Sequence, residues 1–325
     1  MSSPIPVQPP PPGIYVPSIT IFNPKSQTLD LDSQRKYFTY LAHETGITGL
    51  VILGTNAETF LLTREERKAL LSLAKECVEG TGVKLIGGVS GHSVVQVREF
   101  IEDLVEVGGF GWVLVLPVGY FPGVSGRGEV VEGFYGDVVR MLEGSGIGVV
   151  LYNFPGVCNG VDLDSDTIAR LADKHDSIVG VKLTCGSVAK ITRLAAEFPR
   201  ERFSVFGGQS DFLIGGLAVG SAGCIAAFGN VFPKTIVKIY DLYQKGERQK
   251  ALELHQKAAL AEQVLKAGGI SATKYAASLF TARMAGIEGA EEKMWPRRPY
   301  IPVGEEMKKA IRERLAWLGE TEKEI

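Results

Sequence analysis

Short apolar runs, rich in β-branched residues, alternate with longer amphipathic segments along most of the chain. Each run is continuously apolar, without the alternation of polar and apolar positions that a half-exposed strand shows. Such runs are typical of strands that are buried on both faces, as in parallel sheets. The sequence therefore predicts eight parallel strands, at Ile14–Ile19, Gly49–Leu53, Lys84–Val89, Trp112–Leu116, Gly148–Leu151, Ile178–Leu183, Phe203–Phe206 and Gly223–Ala226.

The segments between the runs carry apolar residues at helical spacing. Thr63, followed three residues later by Glu66, forms a capping box, which marks the start of a helix. Seven helices are predicted between the runs, at Leu31–Thr45, Thr63–Glu79, Ser93–Val107, Val130–Leu142, Asp164–Lys174, Ser187–Phe198 and Ser210–Val219. Four more follow the last run, at Lys234–Lys245, Glu247–Lys266, Ser271–Met284 and Glu305–Leu318.

Eight strand-helix units of about 30 residues each favour a (β/α)8 TIM barrel, whose usual size is about 250 residues. A doubly wound open sheet is the alternative, but the first strand is not followed by a Gly-rich dinucleotide fingerprint. The barrel needs only one of the four last helices. We therefore predict a flexible Pro-rich tail at residues 1–13, a catalytic barrel at 14–245 and a C-terminal helical extension at 246–325.

The charge balance argues for small-molecule chemistry. Lys and Arg total 35 against 37 Asp and Glu, a net charge of -2. The chain therefore has no overall excess of positive charge with which to bind nucleic acid or an anionic membrane. No apolar stretch is long enough to predict a membrane span. The four cysteines are far apart, the four histidines lack metal-ligand spacing, and the N-terminus lacks a signal or transit pattern, so we expect a metal-free, cytoplasmic protein.

Lys182 lies inside the sixth apolar run, where a lysine is unexpected. Burial disfavours the ammonium form of a lysine, and a neutral amine can attack a carbonyl carbon to form a Schiff base. The alternative is an edge-strand lysine whose head group reaches solvent. Barrel active sites lie at the carboxyl ends of the strands. The residues at neighbouring strand ends therefore help to decide between a reactive lysine and one that reaches solvent.

Two of those strand ends carry suitable groups. Tyr152 ends the fifth strand, next to the strand of Lys182, and its phenol could relay protons. Thr55 and Asn56 follow the second strand in a turn whose side chains and N–H groups could bind a carboxylate. Each of these residues could instead have a structural role, Tyr152 packing on a loop and the turn capping a helix.

Three motifs together resemble those of one enzyme family. Tyr-Asn-Phe-Pro-Gly at 152–156 and Val-Gly-Val-Lys-Leu-Thr at 179–184 resemble the paired signature of the dihydrodipicolinate synthase/N-acetylneuraminate lyase family. Gly-Thr-Asn-Ala-Glu at 54–58 resembles its carboxylate-binding turn, and residues 223–230 resemble the end of its eighth strand. The resemblance covers residues from about 14 to 300, in the same order and spacing.

The resemblance implies a class I, metal-free aldolase that acts through pyruvate and needs no cofactor, because the lysine itself forms the imine. Lys182 would be the nucleophile and Tyr152 the proton relay. Thr55 and Asn56 would hold the pyruvate carboxylate. The remaining implied site residues are Gly208 and Ile225, which would line the pocket near the imine, and Tyr120, which would reach a partner subunit's site in a homotetramer built as a dimer of dimers.

Three positions depart from the synthase pattern. Val157 replaces the arginine that binds aspartate semialdehyde, and a valine cannot bind a carboxylate. Asn56 resembles the branch of 4-hydroxy-2-oxoglutarate and 2-keto-3-deoxy sugar acid aldolases. Ala57 replaces a glycine and would be strained if the turn required a positive φ there.

We therefore expect an enzyme that cleaves a 2-oxo-4-hydroxy acid into pyruvate and an aldehyde. Its substrate would be a 2-keto-3-deoxy sugar acid or 4-hydroxy-2-oxoglutarate. Two rival hypotheses stay open at this point. One is a dihydrodipicolinate synthase with a relocated carboxylate contact, and the other is a non-catalytic barrel that binds a keto acid.

Overall fold

A computed structural model describes residues 7–325 of the protein, and in that range eight parallel strands form a closed barrel in chain order. Each strand lies in or overlaps a predicted apolar run, so the predicted (β/α)8 fold is confirmed. The strands are β1 (Gly13–Pro17), β2 (Gly49–Ile52), β3 (Lys84–Gly88), β4 (Trp112–Val115), β5 (Gly148–Asn153), β6 (Ile178–Leu183), β7 (Ser204–Gly207) and β8 (Gly223–Ile225).

Helices connect the strands and continue beyond β8, as the amphipathic segments predict. They are α1 (Leu31–Glu44), α2 (Arg64–Cys77), α3 (Val94–Val107), α4 (Pro122–Ser125), α5 (Gly128–Met141), α6 (Ser165–Lys174), α7 (Val188–Glu197), α8 (Leu213–Ala218), α9 (Pro233–Gln244), α10 (Arg248–Leu279), α11 (Thr281–Met284), α12 (Ala290–Lys293) and α13 (Glu305–Glu324). Single 3-10 turns lie at Thr55–Ala57, Thr59–Leu61, Pro155–Val157 and Ala227–Asn230.

The helices predicted at Glu247–Lys266 and Ser271–Met284 are separated in the structure by a break in the helical backbone of α10 at Gly269 (φ 59°, ψ -143°), and α11 continues the second of them. A glycine adopts this conformation without the steric cost that a side chain would bring. Among residues 7–325 no helix is both long and apolar enough to cross a membrane.

The described chain divides into two compact units. The first consists of residues 7–12, Leu85–Gly208 and Gly215–Cys224, and it contains strands β3 to β7. The second consists of Gly13–Lys84, Gln209–Ile214 and Ile225–Ile325, and it contains β1, β2 and helices α9 to α13. The predicted boundary between barrel and extension, at residues 245 and 246, falls in the turn between α9 and α10 and stays a prediction.

The Pro-rich segment before β1 has hydrogen-bond partners where the structure describes it, while the predicted flexibility of residues 1–13 stays a prediction. Residues 1–6 lie outside the described part of the chain. In the first unit, the Trp112 indole N–H donates to the Gln8 carbonyl (2.7 Å), and the Ser204 hydroxyl donates to that of the buried Pro10 (2.8 Å). Prolines have no N–H for strand pairing, but their carbonyls still accept hydrogen bonds, and this holds the segment in place.

A buried carboxylate attaches the C-terminal helix within the second unit. Glu322 of α13 accepts hydrogen bonds from the N–H groups of Lys234 (2.8 Å) and Thr235 (2.7 Å) and from the Thr235 hydroxyl (2.6 Å). These groups lie in the first turn of α9, which has no side-chain cap of its own. Glu322 thus satisfies helix N-terminal donors that would otherwise be left without partners. Burial raises the pKa of Glu322 to about 7.

The raised pKa of Glu322 predicts a pH-dependent stability. The folded protein holds a proton that the unfolded chain releases, so the free energy of unfolding should fall as pH rises from about 4.5 to 7. A shift of this size corresponds to about 3 kcal/mol. In Glu322→Gln, which stays neutral, this contribution should be absent in urea titrations at pH 4.5 and 8. Glu320→Gln, an exposed neighbour on α13, is the control. Parallel pH curves for wild type and Glu322→Gln would contradict the prediction.

Candidate active site

The predicted nucleophile and proton relay lie side by side in the first unit. Strands β5, β6 and β7 are in parallel register, with Tyr152 beside Lys182 and Lys182 beside Phe206. Side chains of register partners on adjacent strands point to the same face of a sheet. Tyr152, Lys182 and Phe206 therefore form a row across the three strands, and all three are buried.

Lys182 is only 2% exposed, so the expectation of a buried lysine in this strand is met. Its Nζ lies 4.1 Å from the centroid of the Tyr152 ring. An aromatic face compensates an ammonium group far less than a carboxylate does. Among the described residues, the Lys182 amine is therefore not held in an ion pair. This suits a group that must react with a carbonyl.

One step further toward the carboxyl ends of the strands, Thr184 and Gly208 are neighbours. The Thr184 N–H donates to the Asn153 carbonyl (2.9 Å), and the Gly208 N–H donates to the Leu183 carbonyl (3.0 Å). A side chain at position 208 would collide with the Thr184 hydroxyl. Among the described residues, that hydroxyl is buried without a hydrogen-bond partner. Gly208 therefore leaves space beside an available polar group.

Sequence reasoning missed Thr184 and Phe206 as members of this site. Thr184 could have been found, because it lies two residues after Lys182 and alternate residues of a strand share a face. Phe206 could not, because its place beside Lys182 depends on the register between β6 and β7. Register is a property of the assembled sheet and is not readable from one strand.

The asparagine that follows Tyr152 anchors the loop after β5. The Asn153 amide donates to Asp162 (2.7 Å), and its carbonyl oxygen accepts from the Leu163 N–H (2.9 Å). Lys190 donates to the Leu163 carbonyl (2.7 Å) and pairs with Asp162. This network fixes the chain on either side of the Pro155–Val157 turn, and Val157 on that turn is 43% exposed.

The predicted carboxylate-binding turn belongs to the second unit and forms a 3-10 turn at Thr55–Ala57. Thr55 and Asn56 are half-buried at the carboxyl end of β2. The positive φ values flank the turn, at Leu53 (62°) and Glu58 (55°), and Ala57 lies within the 3-10 turn itself. Ala57 is therefore not under the strain that a positive φ at this position would bring.

A fully buried ion pair holds Glu58 in its left-handed conformation. Lys274 of α10 lies 2.6 Å from Glu58, and neither side chain has any exposed surface. The second Glu58 oxygen accepts from the Arg297 N–H (2.6 Å). Burial lowers the pKa of Lys274 to about 8, against the opposing effect of Glu58. These contacts hold the backbone of Glu58 in a conformation that is costly on its own. Strained residues that are held in this way are typical of functional sites.

The remaining predicted residues have less defined surroundings. Ile225 ends β8 and is fully buried. Tyr120 is 66% exposed, and its ring lies edge-on against those of His92 and Phe121, with centroids 6.0 and 4.9 Å away. Asp164, in an acidic stretch before α6, caps that helix by accepting from the Thr167 N–H (2.7 Å). Within residues 7–325, no group of three or more His, Cys, Asp or Glu side chains is placed to hold a metal ion.

A closed parallel barrel with a buried lysine and a tyrosine in register near the carboxyl ends of adjacent strands is the arrangement that the resemblance implies. The dihydrodipicolinate synthetase family matches residues 10–317, and the chain belongs to this family. The resemblance of the three motifs is thereby confirmed.

The most similar relatives carry aldolase names. A protein of Coccidioides immitis (strain RS) named "Putative 4-hydroxy-2-oxoglutarate aldolase, mitochondrial" is 57% identical over 94% of this chain and 95% of its own. An L-threo-3-deoxy-hexylosonate aldolase of Hypocrea jecorina is 34% identical over 96% of this chain and 98% of its own. These names belong to the aldolase branch that Asn56 predicts.

Solved structures of the family share the fold. A dihydrodipicolinate synthase family protein from Coccidioides immitis has a TM-score of 0.88 and 53% identity, covering 97% of this chain and 98% of the other. YagE from E. coli K12, a member of the family solved in complex with pyruvate, has a TM-score of 0.82 and 26% identity, covering 94% and 98%.

The expectation of a cytoplasmic protein is wrong. The Coccidioides relative, more than half identical over nearly all of both chains, is named as mitochondrial. The expectation was drawn from reduced cysteines and from the absence of a signal or transit pattern. Free thiols argue against an oxidising compartment, but they do not distinguish between two reducing ones.

Substitution of Gly208 tests the space beside Thr184. In Gly208→Ala the new methyl group would collide with the Thr184 hydroxyl and lie 2.5 Å from its Cα, displacing the end of β6 two residues from Lys182. We expect at least about a 10-fold loss of turnover, since small displacements at a reacting centre are costly. Gly215→Ala, whose nearest neighbour would be 3.9 Å away, is the control. Equal turnover of the two variants would contradict the assignment of Gly208 to the site.

Proposed function

We propose that the protein is a class I aldolase that cleaves 2-oxo-4-hydroxy acids into pyruvate and an aldehyde. The observation that carries the proposal is the buried Lys182 amine beside the Tyr152 ring, in register on adjacent strands. Family membership and the aldolase names of the similar relatives support it. The substrate class comprises 4-hydroxy-2-oxoglutarate and 2-keto-3-deoxy sugar acids.

The reaction begins with attack of the Lys182 amine on the C2 ketone. The carbinolamine loses water and becomes an iminium ion, which can accept an electron pair. Loss of the proton from the C4 hydroxyl breaks the C3–C4 bond, releases the aldehyde and leaves an enamine on Lys182. Protonation of C3 and hydrolysis then release pyruvate and restore the amine. Tyr152 relays protons in these steps.

The other predicted residues retain their roles in the proposal. Thr55 and Asn56 bind the carboxylate that every substrate of this class carries. Gly208 and Ile225 line the pocket, and the free Thr184 hydroxyl adds a polar group beside Gly208. No metal or organic cofactor is required, since the lysine imine is itself the electron sink.

The synthase alternative is not favoured by the loop after β5. Val157 stands where a synthase has its arginine, and an apolar side chain there offers no partner for the carboxylate of aspartate semialdehyde. Lys190 of α7, which contacts this loop, is already paired with Asp162.

We also propose a mitochondrial location, as in the name of the Coccidioides relative, and a homotetramer. The exposed cluster of Tyr120, Phe121 and Val124 supports subunit contact, because large apolar groups gathered on one surface favour association. A monomer mass in sedimentation equilibrium at micromolar concentration would contradict the tetramer. Localisation of the tagged full-length protein in cells tests the compartment.

Trapping with borohydride tests the imine. Pyruvate plus borohydride should add a stable mass to the wild-type protein, and peptide mapping should place it on Lys182. Lys182→Ala should lose both the adduct and pyruvate release from 4-hydroxy-2-oxoglutarate and L-threo-3-deoxy-hexylosonate, because the nucleophile is gone.

The other two buried lysines serve as internal controls for the trapping experiment. Lys190 and Lys274 are buried like Lys182, but each is paired with a carboxylate, so their peptides should carry no adduct. An adduct that persists in Lys182→Ala would rule out the proposed mechanism.

The phenol of Tyr152 is tested separately. Tyr152→Phe should keep the ring against Lys182 and still form the pyruvate adduct, but turnover should fall by about 10²–10⁴-fold, the usual contribution of a general acid–base group. Phe206→Leu, which changes the other register neighbour of Lys182 without removing a proton-transfer group, is the comparison. Unchanged turnover in Tyr152→Phe would remove Tyr152 from the relay.

A further inference from the structure

The loop that follows β7 begins one residue after Gly208 and is held by side chains of α10. Glu262 accepts two hydrogen bonds from Ser210, one from its N–H (3.2 Å) and one from its hydroxyl (2.5 Å). His255 Nε2 donates to the Ser210 carbonyl (2.7 Å). All the polar groups of Ser210 are therefore engaged, and two of the partners are buried side chains of a helix about 50 residues further along the chain.

The same helix also binds the residues on both sides of Ser210. Lys266 donates to Gln209 (3.2 Å) and pairs with Asp211 (2.8 Å). His255, Glu262 and Lys266 are seven and four residues apart, which places them on one face of α10. One helix face thus contacts three consecutive loop residues, Gln209–Asp211.

Where the loop makes these contacts, the helix that follows it begins later than the sequence predicts. Amphipathic spacing predicts a helix from Ser210 onward, whereas α8 begins at Leu213. Ser210 donates its N–H and hydroxyl to Glu262, and its carbonyl also accepts from the N–H of Leu213, the first residue of α8 (3.0 Å). Asp211 is left half-buried, with its Oδ1 atom buried and without a hydrogen-bond partner among the described residues. The loop thus presents an available acceptor at the carboxyl end of a barrel strand, where substrates bind.

We propose that Glu262 is a positioning residue, which holds the Gln209–Asp211 loop in the conformation that receives the aldehyde half of the substrate. This inference rests on the proposed aldolase function. Glu262 acts through Ser210 and does not itself contact the substrate. The imine with pyruvate alone should not need the loop, since pyruvate lacks the aldehyde half.

The protonation of Glu262 gives the loop a pH dependence. Burial raises the pKa of Glu262 to about 7. Two charged groups face Glu262: Asp211 raises the pKa of Glu262 further, and Lys266 lowers it. Burial lowers the pKa of His255, which favours the neutral form of that imidazole. A carboxylate accepts from both Ser210 donors, but a protonated carboxyl has a hydroxyl where one acceptor was. The loop is therefore held most firmly above pH 7 and loosens below it.

The test compares complete turnover with imine formation in Glu262→Ala and Glu262→Gln. In Glu262→Ala, kcat/KM for 4-hydroxy-2-oxoglutarate and L-threo-3-deoxy-hexylosonate should fall about 10- to 100-fold, while borohydride trapping of pyruvate on Lys182 stays within about 2-fold of wild type. Glu262→Gln has, like the protonated carboxyl, only one acceptor oxygen, so its kcat/KM should stay at every pH near the level that the wild type reaches below pH 7, without the wild-type decline.

Glu322→Gln is the matched control. Glu322 is also a buried glutamate of the C-terminal helices with a pKa raised to about 7, and it accepts from two N–H groups and a hydroxyl at the start of α9. Its pH profile of kcat/KM should match that of the wild type.

Three results would overturn the proposal. The first is a Glu262→Ala enzyme whose kcat/KM is unchanged. The second is a loss of the pyruvate adduct in Glu262→Ala as large as its loss of kcat/KM. The third is a Glu262→Gln enzyme whose kcat/KM still declines below pH 7. If Glu262→Ala does not fold, the pH profile of Glu262→Gln decides. Absence of the pyruvate adduct in the wild-type protein would instead reject the proposed function itself.

Discussion

Burial of the Lys182 amine in an apolar strand is the constraint on which the proposed chemistry depends. Among the described residues, Lys182 lies against the Tyr152 ring and has no carboxylate partner, so its amine is not held in an ion pair. The three buried lysines differ in this respect. Lys190 has Asp162 and Lys274 has Glu58, whereas Lys182 lies against the face of Tyr152. The same residue type is thus structural in two places and suited to reaction in the third.

The eight strands and most helices follow from sequence alone, because continuous apolar runs and amphipathic spacing reflect the two-sided burial of a parallel barrel. Lys182 and Tyr152 were likewise identifiable, since each stands out at the end of such a run. Predicting the Thr184–Gly208 neighbourhood requires knowledge of how β6 and β7 align. The hydrogen bonds of Gln8 and Pro10 were not predicted, because their partners, Trp112 and Ser204, are distant in sequence.

Two loops of the second unit adopt conformations that their own sequences do not predict. The turn at Thr55–Ala57 has a left-handed glutamate after it, and the segment after Gly208 delays its helix by three residues. In both cases the competing interaction is a buried ionic side chain of α10, Lys274 for Glu58 and Glu262 for Ser210. Local sequence does not carry information about partners 52 and 216 residues away.

The C-terminal helices therefore do more than extend the barrel. Part of α10 sets the backbone beside the predicted carboxylate-binding turn, and another part sets the loop after β7. Relatives that share the fold and carry different substrate names could differ through such supporting residues as well as through the pocket lining. A glutamate whose pKa lies near 7 adds a further consequence. Its support of the loop weakens as the surroundings become more acidic, so activity toward complete substrates would have a pH dependence that imine formation with pyruvate does not share.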